Sequence, residues 1–183
     1  MSSHPLPKAL FLDRDGTLII DKVYLSDPEG VELYPRVGDI LSRLRTAGVK
    51  LFLFTNQSGI GRGYYTVEDA QRVNQRMIEL LGLPKPGFDE ICIAPEAPDQ
   101  PMIYRKPSPR FILETLPKYG LKPVECLMVG DAESDIGAAL SAGIPAVALR
   151  TGKIDPLASV KIASARVPVY EDFSSFSASV FGF

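Results

Sequence analysis

The residues able to do chemistry fall at four places. Asp13-Arg14-Asp15-Gly16-Thr17 sets two carboxylates two residues apart, directly after the apolar run Ala9–Leu12. At a strand end such a pair can bracket one metal ion, and Gly16 lets the backbone turn sharply without a Cβ clash. An isolated Asp-x-Asp-Gly is more often an ordinary polar turn. Thr55-Asn56-Gln57-Ser58-Gly59-Ile60-Gly61-Arg62-Gly63 follows the run Lys50–Phe54. A hydroxyl, amides and free backbone N–H groups at a strand end can cradle a phosphate, though a Gly-rich surface loop has the same composition. Arg105-Lys106-Pro107 places two cations before a helical pattern. Lysine can neutralise an oxyanion as a point charge, and arginine can grip phosphate with two parallel hydrogen bonds. Gly130-Asp131-Ala132-Glu133-Ser134-Asp135 ends a further apolar run and adds carboxylates; helix N-capping is the plain alternative there.

The elements that must position these groups follow from periodicity. Val37, Ile40, Leu41 and Leu44 have the spacing of an amphipathic helix over Val37–Ala47, with Gly48 behind it. Thr66 followed by Asp69 resembles a capping box and opens a helix running to Leu81 and closing at Gly82. Ser108–Tyr119 and Ser134–Ala142 read as helices, with Pro117 expected to disturb the last turn of the former. Ala9–Leu12, Lys50–Phe54, Asp89–Ala94, Cys126–Val129 and Ala146–Leu149 read as strands, and Val167–Val169 with Asp172–Phe181 ends the chain. Continuous rather than alternating apolar runs fit strands covered on both faces. Strands alternating with helices predict an α/β fold with a mostly parallel sheet between two helical layers. Ligands of such sheets bind outside the carboxyl ends of the strands, where all the candidate residues lie or adjoin.

Composition excludes several classes. The 183 residues are 45% hydrophobic and 23% charged, which fits a globular chain and not a disordered one. A net charge of −2 gives no basic footprint for nucleic acid. Two cysteines, Cys92 and Cys126, make no disulfide framework. The longest apolar runs, about five residues, fall far short of a membrane span. Met1 to Pro7 lacks the charged and apolar regions of a signal peptide. The expectation is a cytoplasmic, monomeric protein with a flexible tail at 1–7 and one domain at 8–183. His4, the only histidine, lies in that tail.

Taken together, Asp13-Arg14-Asp15-Gly16-Thr17, Thr55, Lys106 and Gly130-Asp131 to Asp135 resemble the motifs of the haloacid dehalogenase-like (HAD) phosphohydrolase superfamily, over residues 8 to about 153. The resemblance implies a Rossmann-like three-layer α/β/α sandwich. It implies Asp13 as nucleophile forming an aspartyl-phosphate, Asp15 as general acid and base, and Thr55 and Lys106 stabilising the transferring phosphoryl group. It also implies Mg2+ on Asp13, the Asp15 carbonyl and Asp131. The stretches Thr17–Val37 and Gly82–Lys106 are each too short for an inserted cap domain, so a capless, open site is expected.

The longer string, with Arg105-Lys106-Pro107 and Arg150-Thr151-Gly152-Lys153, is similar to the D-glycero-D-manno-heptose 1,7-bisphosphate 7-phosphatases. The histidinol-phosphate phosphatases share that branch. The similarity implies a small phosphorylated metabolite as partner, with neither nucleic acid nor membrane. It implies Asp21, Tyr24, Thr55, Asn56, Gln57, Ser58, Arg105 and Lys106 as substrate-binding residues. Three departures stand out. The four zinc-ligand positions of the family's loop are Ala94, Glu96, Met102 and Tyr104 here, so no zinc is expected. Ala132 replaces a lysine, and Asp21-Lys22-Val23-Tyr24 replaces Asp-His-Gly-Tyr.

Overall fold

The computed structural model describes residues 5–153 and 155–183; His4 and most of the expected tail lie outside them. Six parallel strands form one sheet: β1 (Ala9–Leu12), β2 (Lys50–Asn56), β3 (Glu90–Ala94), β4 (Cys126–Gly130), β5 (Ala146–Leu149) and β6 (Val169–Tyr170). The order is β3-β2-β1-β4-β5-β6. The winding direction therefore reverses between the neighbours β1 and β4, the place where such sheets open a ligand crevice.

Alternation along the strands builds two cores. Leu10, Leu12, Leu51, Leu53, Val129 and Leu149 point to one face. There they meet α1 (Val37–Thr46), α3 (Val67–Leu81) and α7 (Phe173–Val180). Ala9, Phe11, Phe52, Phe54, Met128 and Ala148 point to the other face. There they meet α4 (Arg110–Lys118), α5 (Glu133–Ala142) and α6 (Val160–Ser164). Phe11 stacks on Phe52 with centroids 4.9 Å apart. The architecture is the expected three-layer α/β/α sandwich, with a sheet parallel throughout.

Local differences from the sequence reading have simple causes. β2 runs on to Asn56, because Thr55 and Asn56 pair with Ile93 and Ala94. The helix expected from Ser108 begins at Arg110: the Ser108 hydroxyl donates to the Ile103 carbonyl, and Pro109 occupies the N-cap. Pro117 is accommodated one residue before the end of α4. The Val167–Val169 segment contributes its strand at Val169–Tyr170. The Thr66–Asp69 capping box forms, and Gly82 closes α3 in the left-handed conformation. The terminal Phe181 packs on Phe176, and the Arg43 guanidinium lies 3.9 Å over the Phe183 ring. The short α2 (Ser58–Gly61) and α6 carry too few residues for a periodic signal.

Between Thr17 and Val37 the described chain has only a 3-10 turn at Pro28–Gly30 and isolated bridges through Ile19. No cap domain is inserted there. The mouth over the strand ends is left to short loops.

Candidate active site

Asp13 directly follows β1 and is buried. Its Oδ1 is 2.5 Å from the Lys106 Nζ. That ammonium also donates to the Phe54 carbonyl at 2.6 Å and lies 2.6 Å from Asp135 Oδ1. Burial opposes the lysine's charge, but Asp13 and Asp135 outweigh it and hold the ammonium above its ordinary pKa. The loop carrying Lys106 is locked to β2 by Asn56. The Asn56 carboxamide donates to the Lys106 carbonyl at 3.1 Å and accepts from the Lys106 N–H at 2.8 Å. Asn56 thus spends its side chain on holding the lysine, a task its sequence position did not disclose.

Asp15 faces a different set of groups. Arg14 contacts both its oxygens, at 2.9 and 3.2 Å, and Gln57 Nε2 donates to Oδ2 at 2.9 Å. Gln57 Nε2 also reaches Thr55 Oγ1 at 2.7 Å, and Tyr65 donates to Gln57 Oε1 at 2.7 Å. Thr55, fully buried, therefore accepts from Gln57 and keeps its hydroxyl proton for another acceptor. Arg14 has no exposed surface, and its second arm donates to Asn74 Oδ1 on α3 at 2.9 Å. Sequence reasoning passed over Arg14 and Asn74. An arginine between two strand-end aspartates was the available clue, because a buried guanidinium requires an acceptor on each arm.

The carboxylates test whether a metal fits. Asp13, Asp131 and Asp135 each bring an oxygen to within 4.8 Å of the others. Burial, joined by the charges of Asp13 and Asp135, pushes the Asp131 carboxyl up to about 9. Burial likewise raises Asp13, against the pull of Lys106. Asp135 Oδ1 touches Lys106 but has no aligned hydrogen bond, and Asp135 Oδ2 accepts from the Ala132 N–H at 2.9 Å. Three crowded carboxylates against one ammonium leave excess negative charge, and an all-oxygen donor set suits a hard divalent cation. Glycine is required beside this cluster: Gly16 has φ +84°, and a Cβ there or on Gly152 would strike the Asp131 carboxylate. Asp135 joins a cluster from which the sequence reading had left it out, whereas the Asp15 side chain is occupied elsewhere.

A cavity of about 350 Å3 opens over Asp13, Lys106 and Asp131, and a neighbouring one of about 230 Å3 continues past Asp21, Tyr24, Gln57 and Ser58. Tyr24 meets Tyr64 edge to face at 4.9 Å. Val23 and Tyr24 both have positive φ, 53° and 55°. Arg105 stands apart: it lines neither cavity, and its Nη1 donates to the Glu96 carbonyl at 3.3 Å.

The loop whose zinc ligands are replaced is closed by hydrogen bonds. Glu96, in one ligand position, accepts through Oε1 from the Ile103 and Tyr104 N–H groups at 3.1 and 2.6 Å. Gln100 accepts from the Ala97 N–H at 2.9 Å and donates to the Gly61 carbonyl at 3.4 Å. Burial pushes the Cys92 thiol up to about 12, so it stays neutral.

Comparison with known proteins decides the family. The HAD-hydrolase-like family model matches residues 103–175. A D-glycero-beta-D-manno-heptose-1,7-bisphosphate 7-phosphatase of Helicobacter pylori is 41% identical over 139 residues, 75% of this chain and 80% of that protein. The chain belongs to the heptose-bisphosphate 7-phosphatase family of HAD-like hydrolases. A further family member, from Chlorobaculum tepidum, is 34% identical over 158 residues, 79% of each chain. Among solved structures, the D,D-heptose 1,7-bisphosphate phosphatase of B. bronchiseptica, complexed with magnesium and phosphate, superposes with a TM-score of 0.79. It is 26% identical and covers 94% of this chain and 97% of its own. In this chain Asp13 and Asp131 directly follow β1 and β4, Thr55 lies near the end of β2, and the loop after β3 brings Lys106 beside Asp13.

Proposed function

We propose that this chain is a Mg2+-dependent phosphatase that removes the 7-phosphate of D-glycero-D-manno-heptose 1,7-bisphosphate through an aspartyl-phosphate on Asp13. The observation that carries the reading is the convergence of Asp13, Lys106 and Asp131 on one crevice, in a chain 41% identical to a heptose-bisphosphate phosphatase. Lys106 engages Oδ1 of Asp13 and favours its ionised form against the effect of burial, so Oδ2 is assigned to the attack on phosphorus. Asp15, oriented by Arg14 and Gln57, gives a proton to the departing sugar oxygen and later takes one from the attacking water. Thr55 offers its hydroxyl proton, and Lys106 its charge, to the equatorial phosphoryl oxygens. Asp13, Asp131 and the Asp15 carbonyl would hold the Mg2+, with Asp135 beside them. When bound, the ion supplies positive charge to the phosphoryl oxygens and balances the carboxylates. Zinc has no part in this reading, because Glu96 closes the loop instead. At the mouth Asp21, Tyr24, Gln57 and Ser58 are placed to meet the sugar.

Phosphate release from a panel of heptose 1,7-bisphosphate, histidinol phosphate and common sugar phosphates, with Mg2+ present, tests the reading. Heptose bisphosphate is expected to give the highest kcat/KM. A clear preference for histidinol phosphate would move the chain to the sister activity of the same branch.

A further inference from the structure

Loop 150–153 is pinned at several points around the site. Arg150 pairs with Asp155 at 3.0 Å and with Glu171 at 2.7 Å. The Thr151 hydroxyl donates to the Gly16 carbonyl, in the turn between Asp15 and Thr17. Tyr34 donates to the Thr151 carbonyl at 3.3 Å. Gly152 lies so close to Asp131 that a Cβ would collide with its carboxylate. The next residue, Lys153, is thereby held at a fixed place beside the metal-site carboxylates. It lines both cavities, its side chain is 62% exposed, and its Nζ is 2.7 Å from Asp21 Oδ2. Asp21 is held in turn by the Val23 N–H at 2.8 Å.

Charge bookkeeping at the mouth gives this arrangement its meaning. Three cations line the two cavities. Arg14 and Lys106 are fully buried and already paired, with Asp15 and with Asp13 and Asp135. Lys153 is the one exposed cation among these lining residues, and Arg105 faces the Glu96 carbonyl instead. A substrate with two phosphates puts one at Asp13 and needs a cation near the entrance for the other.

Resting on the substrate class proposed above, we propose that Lys153 is the binding residue for the second phosphate group of a bisphosphorylated sugar. Asp21 is its resting partner. On binding, the ammonium exchanges the carboxylate for the phosphate, and the freed Asp21 faces the sugar hydroxyls. With the lysine side chain 62% exposed the ion pair is screened by solvent, so a dianionic phosphate competes for the ammonium readily.

The test compares kcat/KM for heptose 1,7-bisphosphate with that for heptose 7-phosphate, which lacks the second phosphate. Lys153→Met keeps the apolar stem and removes the charge; Lys153→Arg keeps a cation. The wild-type preference for the bisphosphate is expected to fall on the order of tenfold in Lys153→Met, the loss lying in KM, and to be largely retained in Lys153→Arg. Equal losses on both substrates in Lys153→Met, or an intact preference, would overturn the proposal. Wild-type enzyme that turned over neither heptose phosphate would instead overturn the substrate class, and the assignment with it; that result is read without any variant.

Discussion

Lys106 sits among Asp13, Asp135 and the Phe54 carbonyl, while Asp15 is turned toward Arg14 and Gln57. Two aspartates two residues apart thus occupy different electrostatic surroundings, which is what separate nucleophile and acid roles require. Asp15→Asn is expected to slow an alkyl phosphate by at least about 100-fold, because its alkoxide needs a proton to leave. An aryl phosphate, whose leaving group is stable as an anion, should lose much less; the two kcat values measured side by side check this. At this scale Asp13, Thr55, Lys106 and Asp131 were legible because each ends or follows a strand in a recognisable string. Arg14 and Asn74 were not. Their hydrogen bond joins residues 60 positions apart, and no local pattern marks a buried polar pair. Asp135 was masked by its second task of capping α5 at the Ala132 N–H. The Arg105 guanidinium was expected among the substrate groups and instead lies against the Glu96 carbonyl.

The strands were legible from their apolar runs, and α1 and α3 from periodicity and caps. Loops 21–24 and 95–108 were not, since their shape depends on contacts made across the fold. Glu96 shows why. In sequence it is one replaced metal ligand, whereas in the structure its Oε1 accepts two backbone N–H groups and ties residues 103 and 104 back to the strand end. Its other oxygen is buried with no hydrogen-bond partner among the described residues. Glu96→Ala should leave the Ile103 and Tyr104 N–H groups without their acceptor and cost about 1–3 kcal/mol. Denaturant unfolding measures the loss, and amide exchange at residues 103 and 104 should quicken more than exchange elsewhere. Unaltered exchange at those two amides would show that the loop is held by other means.

At the scale of the whole molecule, the two apolar faces of one sheet fix the outline, and ion pairs across the fold tie its far end. Asp89 accepts from the Leu51 N–H at 2.9 Å and pairs with Arg45 and Lys50, joining the start of β3 to β2 and α1. Burial alone would raise its pKa, but the Leu51 and Arg45 contacts outweigh it and hold the carboxyl below its ordinary value of 3.8. Its contribution to stability is therefore complete above about pH 4 and is lost as pH falls through the lowered folded value. Asp89→Asn should cost about 1–3 kcal/mol at pH 7, and its stability curve should approach that of the wild type as the pH drops below 3.8. A gap between the curves that stayed constant down to pH 2 would contradict the pairing. At the reversal point of the sheet Asp13 and Asp131 meet beside Lys106. The most direct measurement is the initial rate of phosphate release from heptose 1,7-bisphosphate with Mg2+, for the wild type and for Asp13→Asn at matched folded concentration. The wild type should release one phosphate per sugar, and the variant, whose amide cannot attack phosphorus, should be slower by at least about 1,000-fold. A variant that kept a substantial share of the wild-type rate would contradict the account.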